Sequence, residues 1–556
     1  MVGSRSALVG VVLLFFLVGC RSPAPQTSPP TSADHARFEK RPIGEIRIST
    51  RNLYSEEEES QKPFYRLMNR LHWTTKSSVV RNRVWFSEGD LVSQDELDEV
   101  ERILRRMGLF GEANVEFEPR ADGGPDDVVI DAQDRLTLIA RLGGSLVGGV
   151  SGFAALFGDR NLFGSGNELL ATFRENSEDE LNASLRFTDR YLGDSLVRWS
   201  AAVGRTEEGG QYSFDIGRPL LHLADESTWG LNANVVEDEV DFFRGGDSVI
   251  EVPRDSKSAR FFQGYSTGPR YERTFYGVEA RFEDTAYGAA TGVDAATIEV
   301  PGDLTKVTLG GFFRQEWLQD FKRTAGVDAI DAIEDLALGT RLDLFAGAVH
   351  REEEGAETRV EPLASLALRT ALEPADDWLV TLTARGTARW YAGTAEGWTA
   401  SASLHAYQRS LDNQTLAASV TYDEVFENED LPLRLSLGED NGLRGYPARE
   451  FAGTKQLRCN FEDRIDTGLE LYSLHIGVVP FCDVGWIGDD SFGRPLTSVG
   501  IGLRLGSTEL LGRGVLRMDL ALPLTDVPGE DYDPSISFAL GQVFSFFGNA
   551  SVLPTR

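Results

Sequence analysis

The chain has 556 residues, with 55 Lys and Arg against 87 Asp and Glu and a net charge of −32. That balance argues against nucleic acid as a partner, because phosphate binding needs a basic surface. A hydrophobic fraction of 41% and a mean hydropathy of −0.23 rule out a helical membrane bundle, leaving a soluble protein or a β-barrel, whose alternating strands look average in composition.

Residues 1–19 read as an export signal: Arg5 supplies the positive charge and Ala7–Val18 an apolar run too short to span a bilayer. The run closes on Leu17-Val18-Gly19-Cys20, which resembles the lipobox of bacterial lipoproteins. That resemblance implies cleavage before Cys20 and its acylation, the alternative being an ordinary export signal. Arg21 stands where retention at the inner membrane is usually signalled by Asp, so the outer membrane is expected. Residues 20–37 are rich in Pro, Ser and Thr and read as an extended tether.

Residues 38–134 have a mixed α/β pattern. Ile43, Ile46 and Ile48 form a strand-like run, Glu56–Glu59 a solvated loop or helix start, and Phe64, Leu67, Met68 and Leu71 have helical spacing. Ser93 with Glu96 makes a capping box before a helix with Leu97, Val100, Ile103, Leu104 and Met107 on one face, stopped by Gly108. Val115 and Phe117, then Val128 and Ile130, give two strands.

From residue 135 to 548 short alternating runs recur, apart from an ambiguous stretch at Val327–Leu338. Leu516, Met518, Leu520 and Leu522 alternate with Arg517, Asp519 and Ala521; Ile536, Phe538, Leu540, Phe544 and Phe546 alternate with small residues, predicting a last strand over Ser535–Phe547. A soluble sandwich would alternate too. The length without a domain break, and opposite charges on the polar face (Arg517 with Asp519, Arg341 with Asp343), favour a membrane barrel with a hydrated lumen. At about 26 residues per strand and connection the region holds sixteen antiparallel strands. Residues 549–556 are a C-terminal extension.

Cys20, Cys459 and Cys482 form neither a disulfide framework nor a metal cluster, and no HExxH, G-x-S-x-G or P-loop occurs. No enzyme activity, metal or cofactor is expected.

The α/β segment, with Phe86-Ser87-Glu88-Gly89-Asp90 and Met107-Gly108-Leu109-Phe110, resembles a POTRA domain. Downstream lie Asp159-Arg160-Asn161-Leu162-Phe163-Gly164-Ser165-Gly166-Asn167, Leu443-Arg444-Gly445-Tyr446, Phe461-Glu462-Asp463-Arg464, Phe481-Cys482-Asp483-Val484-Gly485 and Gly541-Gln542-Val543-Phe544. In this order they resemble the BamA/TamA family of outer-membrane barrel assembly proteins (bacterial surface antigen type) and its two-partner-secretion relatives. The chain departs in having one POTRA-like domain, a lipobox, and residues beyond the last aromatic.

The resemblance implies a bacterial outer-membrane barrel with its POTRA-like domain in the periplasm. It implies that Asp159, Asn161, Phe163, Gly164 and Gly166 connect two early strands. It also implies that Arg444, Gly445 and Tyr446 sit on a loop folded into the lumen, where Arg444 meets inward-facing Glu462 and Asp483. The implied function is insertion or translocation of other proteins by strand templating at a lateral seam. A two-partner secretion pore and a structural or passive barrel are the alternatives. The partners implied are the lipid bilayer, unfolded or nascent outer-membrane or secreted proteins, and accessory assembly proteins. Parity with Glu462 and Asp483 puts Cys459 and Cys482 on the lipid side, as a disulfide or as free thiols.

Overall fold

The computed structural model describes residues 37–545 apart from 62, 148–149, 177–180, 194, 207–208, 331–333, 428–430, 432–433, 472–473, 507–514, 529, 531 and 541. Cys20, the tether, Phe546 and the C-terminal extension lie outside the described residues.

The first unit is a small α/β layer. Its strands are β1 (Arg41–Arg51), β2 (Leu91–Val92), β3 (Phe110–Glu118) and β4 (Asp126–Asp134), and its helices α1 (Glu56–Gln61), α2 (Pro63–Leu71), α3 (Ser77–Arg81) and α4 (Gln94–Arg106). The sheet order is β2-β1-β4-β3, with β1 parallel to β4. The Glu96 carboxylate accepts hydrogen bonds from the Ser93 N–H (2.9 Å) and hydroxyl (3.0 Å) at the start of α4, tying down orphan groups of the first turn. The apolar face of α4 (Leu97, Val100, Leu104) packs on Val115, Val128, Ile130 and Ala132. Each fully buried aliphatic side chain contributes about 1.5–3 kcal/mol.

A closed barrel follows. Its strands are β5 (Leu138–Val147), β6 (Val150–Leu162), β7 (Asn167–Asn176), β8 (Leu181–Asp189), β9 (Arg198–Arg205), β10 (Gly210–Arg218) and β11 (Ser227–Arg244). The wall continues through β12 (Asp247–Thr267), β13 (Glu272–Tyr287), β14 (Leu304–Thr324), β15 (Glu334–Glu353), β16 (Arg359–Ala375), β17 (Trp378–Tyr391), β18 (Thr394–Gln408) and β19 (Gln414–Glu427). A hairpin of β20 (Leu435–Leu437) and β21 (Phe451–Gly453) interrupts it, before β22 (Lys455–Leu471), β23 (Leu474–Gly488), β24 (Leu496–Gly506), β25 (Val515–Pro523) and β26 (Ser535–Leu540). Wall strands pair antiparallel with their sequence neighbours, and β26 closes on β5.

Period-2 alternation sets the two faces. On β25 Leu516, Met518, Leu520 and Leu522 are 39–47% exposed, while Asp519 between them is fully buried. The apolar side chains therefore point out and the charged ones in.

Two expectations are corrected. Twenty wall strands occur among the described residues, not sixteen. The connections are shorter than the allowance of long loops supposed: β11–β12 and β17–β18 are joined by two residues each. The last strand ends at Leu540, not Phe547. Phe544, read as part of the outward stripe, is 3% exposed and packs inside the barrel with Val327, Leu336, Leu338, Leu379 and Tyr407. An apolar niche at that end competes for its ring. The ambiguous Val327–Leu338 stretch divides into a turn and the start of β15 at Glu334.

Candidate functional site: a luminal arginine cluster and a barrel seam

Between β19 and β22 the chain folds back into the barrel and carries Arg444 on its tip. Gly445 adopts φ +92°, and a Cβ there would lie 3.4 Å from Ala521, Pro523 and Ser498. A left-handed backbone against the wall is a glycine position. Tyr446, 1% exposed, donates its hydroxyl to the Thr497 carbonyl at 2.9 Å and packs on Phe451 and Tyr532.

Arg444 has no solvent exposure. Its Nε and Nη2 donate to the two oxygens of Asp483 at 2.7 and 2.9 Å, and Nη1 donates to Glu462 at 2.9 Å. The fork suits a planar guanidinium and no other side chain. The ring of Phe481 lies 3.4 Å from the guanidinium carbon, measured to its centroid, an added cation–π contact.

The cluster is larger than the three residues singled out in the sequence. Asp519 lies 3.5 Å from Arg444 and 2.6 Å from Arg504, and Arg517 is 3.3 Å from Asp519. Arg464 is 3.0 Å from Glu462 and 3.5 Å from Asp328. Asn460 donates to Asp483 at 2.8 Å. Arg444, Arg464, Arg504 and Arg517 thus face Glu462, Asp483, Asp519 and Asp328, and the charges balance. The inward parity of Arg517 and Asp519 was legible; their convergence with Arg504 on Arg444 depends on which strands curl together.

Arg464 also donates to the carbonyls of Val327 (2.6 Å) and Phe544 (2.9 Å). Gln542 donates to the Asp328 carbonyl at 3.1 Å and accepts from Arg504 at 3.2 Å. The β14–β15 turn and the C-terminal tail are therefore held in the lumen by the arginines that surround Arg444.

The tail leaves the seam sparsely paired. Among the described residues β26 meets β5 at one position, Phe538 opposite Leu146. By contrast, β25 and β26 are paired from Leu516 to Ala521, and β5 and β6 along all of Leu138–Val147.

The Asp159–Asn167 motif lies against the α/β unit. Asn161, fully buried, donates to the Trp73 carbonyl (3.1 Å) and the Thr75 hydroxyl (2.8 Å), and its Oδ1 accepts from the Gly166 N–H (2.8 Å). Asp159 accepts from the Asn161 N–H at 2.8 Å. Thr75 in turn donates to Asp134, which also meets His72 at 2.8 Å. A Cβ on Gly164 would lie 2.4 Å from the Thr74 carbonyl. Phe163 packs on Trp73 with the rings tilted by 56° and centroids 4.8 Å apart.

Further round the rim, Tyr191 enters the α/β core, Arg105 reaches Asp335 at 2.9 Å, and Arg270 pairs with Asp95 (2.8 Å) and Glu99. Burial pushes the Glu99 carboxyl above its ordinary range, against the pull of Arg270 and the Leu223 N–H.

Cys459 and Cys482 are both free thiols. Cys459 stands opposite Val484 and Cys482 opposite Phe461, so they are diagonal rather than direct neighbours.

No family model and no curated protein matches the chain. Among solved structures it is similar to BamA from Haemophilus ducreyi lacking POTRA domains 1–3, at 11% identity and TM-score 0.42, covering 90% of this chain and 84% of that one. CdiB from Escherichia coli gives 12% and 0.41, covering 90% and 76%. CdiB from Acinetobacter baumannii gives 11% and 0.40, covering 96% of each chain.

Proposed function

We propose that the protein is an outer-membrane β-barrel that assists the insertion or translocation of other proteins, with the β5–β26 seam as its working element. The observation that carries this reading is that, among the described residues, one pair joins those strands where six join β25 and β26. An unpaired backbone group in lipid costs several kcal/mol, so any part of the β5 edge that β26 releases seeks a partner strand. A client strand supplies one. The arginine cluster holds the competing tail in the lumen and so keeps the edge available. No bond is made or broken, and the protein is not an enzyme.

The α/β unit acts on this reading as a POTRA-like domain in the periplasm, receiving extended clients, with Cys20 acylated and the tether leading to the membrane. The lumen is occupied by Leu437, Leu443, Arg444 and Tyr446 from one end, and by Val327 and Phe544 from the other. The two inserted segments favour the seam over the lumen as the route for a client. A photocrosslinker at Ser145 on β5, present during export, tests the proposal. Adducts with nascent outer-membrane proteins are expected; export with no adduct would overturn it.

A further inference from the structure

Helix α2 and the segment after it carry a surface that neither the seam nor the luminal cluster uses. Between Glu59 and Glu88 the sequence has six basic residues, Lys62, Arg66, Arg70, Lys76, Arg81 and Arg83, and no acidic one, in a chain of net charge −32. Arg66, Arg70 and Lys76 are exposed, and none has an acidic partner among the described residues. Interleaved with them are three exposed apolar side chains, Leu67 (51%), Leu71 (48%) and Trp73 (48%). Trp73 meets Phe163, itself 60% exposed, on the β6–β7 turn of the barrel. The same strand β6 carries outward Phe153 and Phe157. The patch therefore continues from the barrel's apolar belt onto the α/β unit, and the Asn161 bonds to Trp73 and Thr75 fix it there.

We infer that this patch is a lipid-binding surface: α2 and Trp73 lie in the interface of the bilayer next to the β6–β7 turn, with Arg66, Arg70 and Lys76 on anionic headgroups. Leu and Trp side chains interleaved with unpaired cations are what an interfacial helix needs, and aromatic rings settle at headgroup depth. Each basic residue beside an anionic surface favours contact by about fivefold. The chain's overall acidity would otherwise repel such a surface, so the docking angle of the α/β unit depends on lipid charge. This rests on the reading of the barrel as membrane-embedded.

The test uses the full chain with its three cysteines replaced by Ser, reconstituted in phosphatidylcholine bilayers with or without phosphatidylglycerol. A fluorophore is placed at Leu71, Phe157 or Glu116, and quenching by spin-labelled lipid is measured. The Phe157 label reports whether the barrel spans the bilayer, and the Glu116 label, on exposed β3, should stay unquenched. Leu71 should be quenched more strongly when phosphatidylglycerol is present, and R66E/R70E/K76E should abolish that increment. If Phe157 is unquenched, the membrane reading itself fails. If Phe157 is quenched but Leu71 is not, or Leu71 is indifferent to lipid charge, the lipid surface is overturned. Self-quenching that grows with protein concentration would assign the patch to a second copy of this acidic chain and overturn it equally.

Discussion

Arg444 loses its solvent entirely and recovers it only as bonds to Asp483, Glu462 and Asp519, so its removal exposes the imbalance it corrects. Truncating one member of a buried charge pair costs on the order of 3–5 kcal/mol. Arg444→Ala should lower the unfolding temperature and weaken heat-modifiability on gels more than Arg444→Lys, which keeps the charge and loses the fork. Asp519 and Glu462 retain Arg504 and Arg464, whereas Asp483 keeps no cation, only Asn460 and the 3.4 Å bond from the residue-444 N–H. The double change Arg444→Ala with Asp483→Asn should therefore be milder than the sum of its parts, a coupling that a double-mutant cycle reads directly. Additive losses would place the energy elsewhere. Sequence patterning reached Arg444, Glu462 and Asp483 through short motifs, but not Asp519, Arg504 or Arg464 as their partners. Alternation says which face a side chain takes, and only barrel curvature says which faces meet. For the cysteines, counting thiols under denaturing, non-reducing conditions should give two from Cys459 and Cys482; none would show that the diagonal pair closes.

At the scale of elements, the strand connection Asp159–Asn167 fastens the α/β unit to the barrel. Asn161→Ala leaves buried groups of Trp73, Thr75 and Gly166 without their partner, at about 1–3 kcal/mol. Gly164→Ala drives a methyl into the Thr74 carbonyl. Both should speed hydrogen exchange across residues 73–76 while leaving barrel heat-modifiability unchanged; unchanged exchange would show that other rim contacts suffice. The Glu99 contact adds a pH dependence. Its folded carboxyl holds a proton more tightly than the unfolded one, so its contribution to docking falls as pH rises from about 4.3, the ordinary value, through the raised one. Glu99→Gln should flatten that slope in a protease-release assay, and a parallel slope in both proteins would exclude Glu99 as its source. Helix α4 and its cap were legible because its period is sharp and its cap is local. The strand count was not, because two-residue turns such as Gly245-Gly246, with φ of +61° and +84°, shorten the repeat. Positive φ at both positions is the hairpin geometry matched to strand twist, and a Gly-Gly pair between alternating runs was the available signal.

For the whole molecule, the question is what the sparse seam is for. The alternation of Phe538, Leu540 and Phe544 suggests one uninterrupted strand, since local pattern cannot register that a distant Arg464 and an apolar niche compete for the same tail. Twenty strands enclose a lumen into which two segments fold, and among the described residues the pairing of neighbouring wall strands is sparsest between β26 and β5. The most direct measurement is a disulfide across that gap. Cysteines at Leu146 and Phe538, the directly opposed pair, should oxidise spontaneously. Client insertion should stop in the oxidised protein and return on reduction, with single-cysteine variants unaffected. Insertion or secretion at the normal rate with the seam locked would contradict the account and make the seam a closure only.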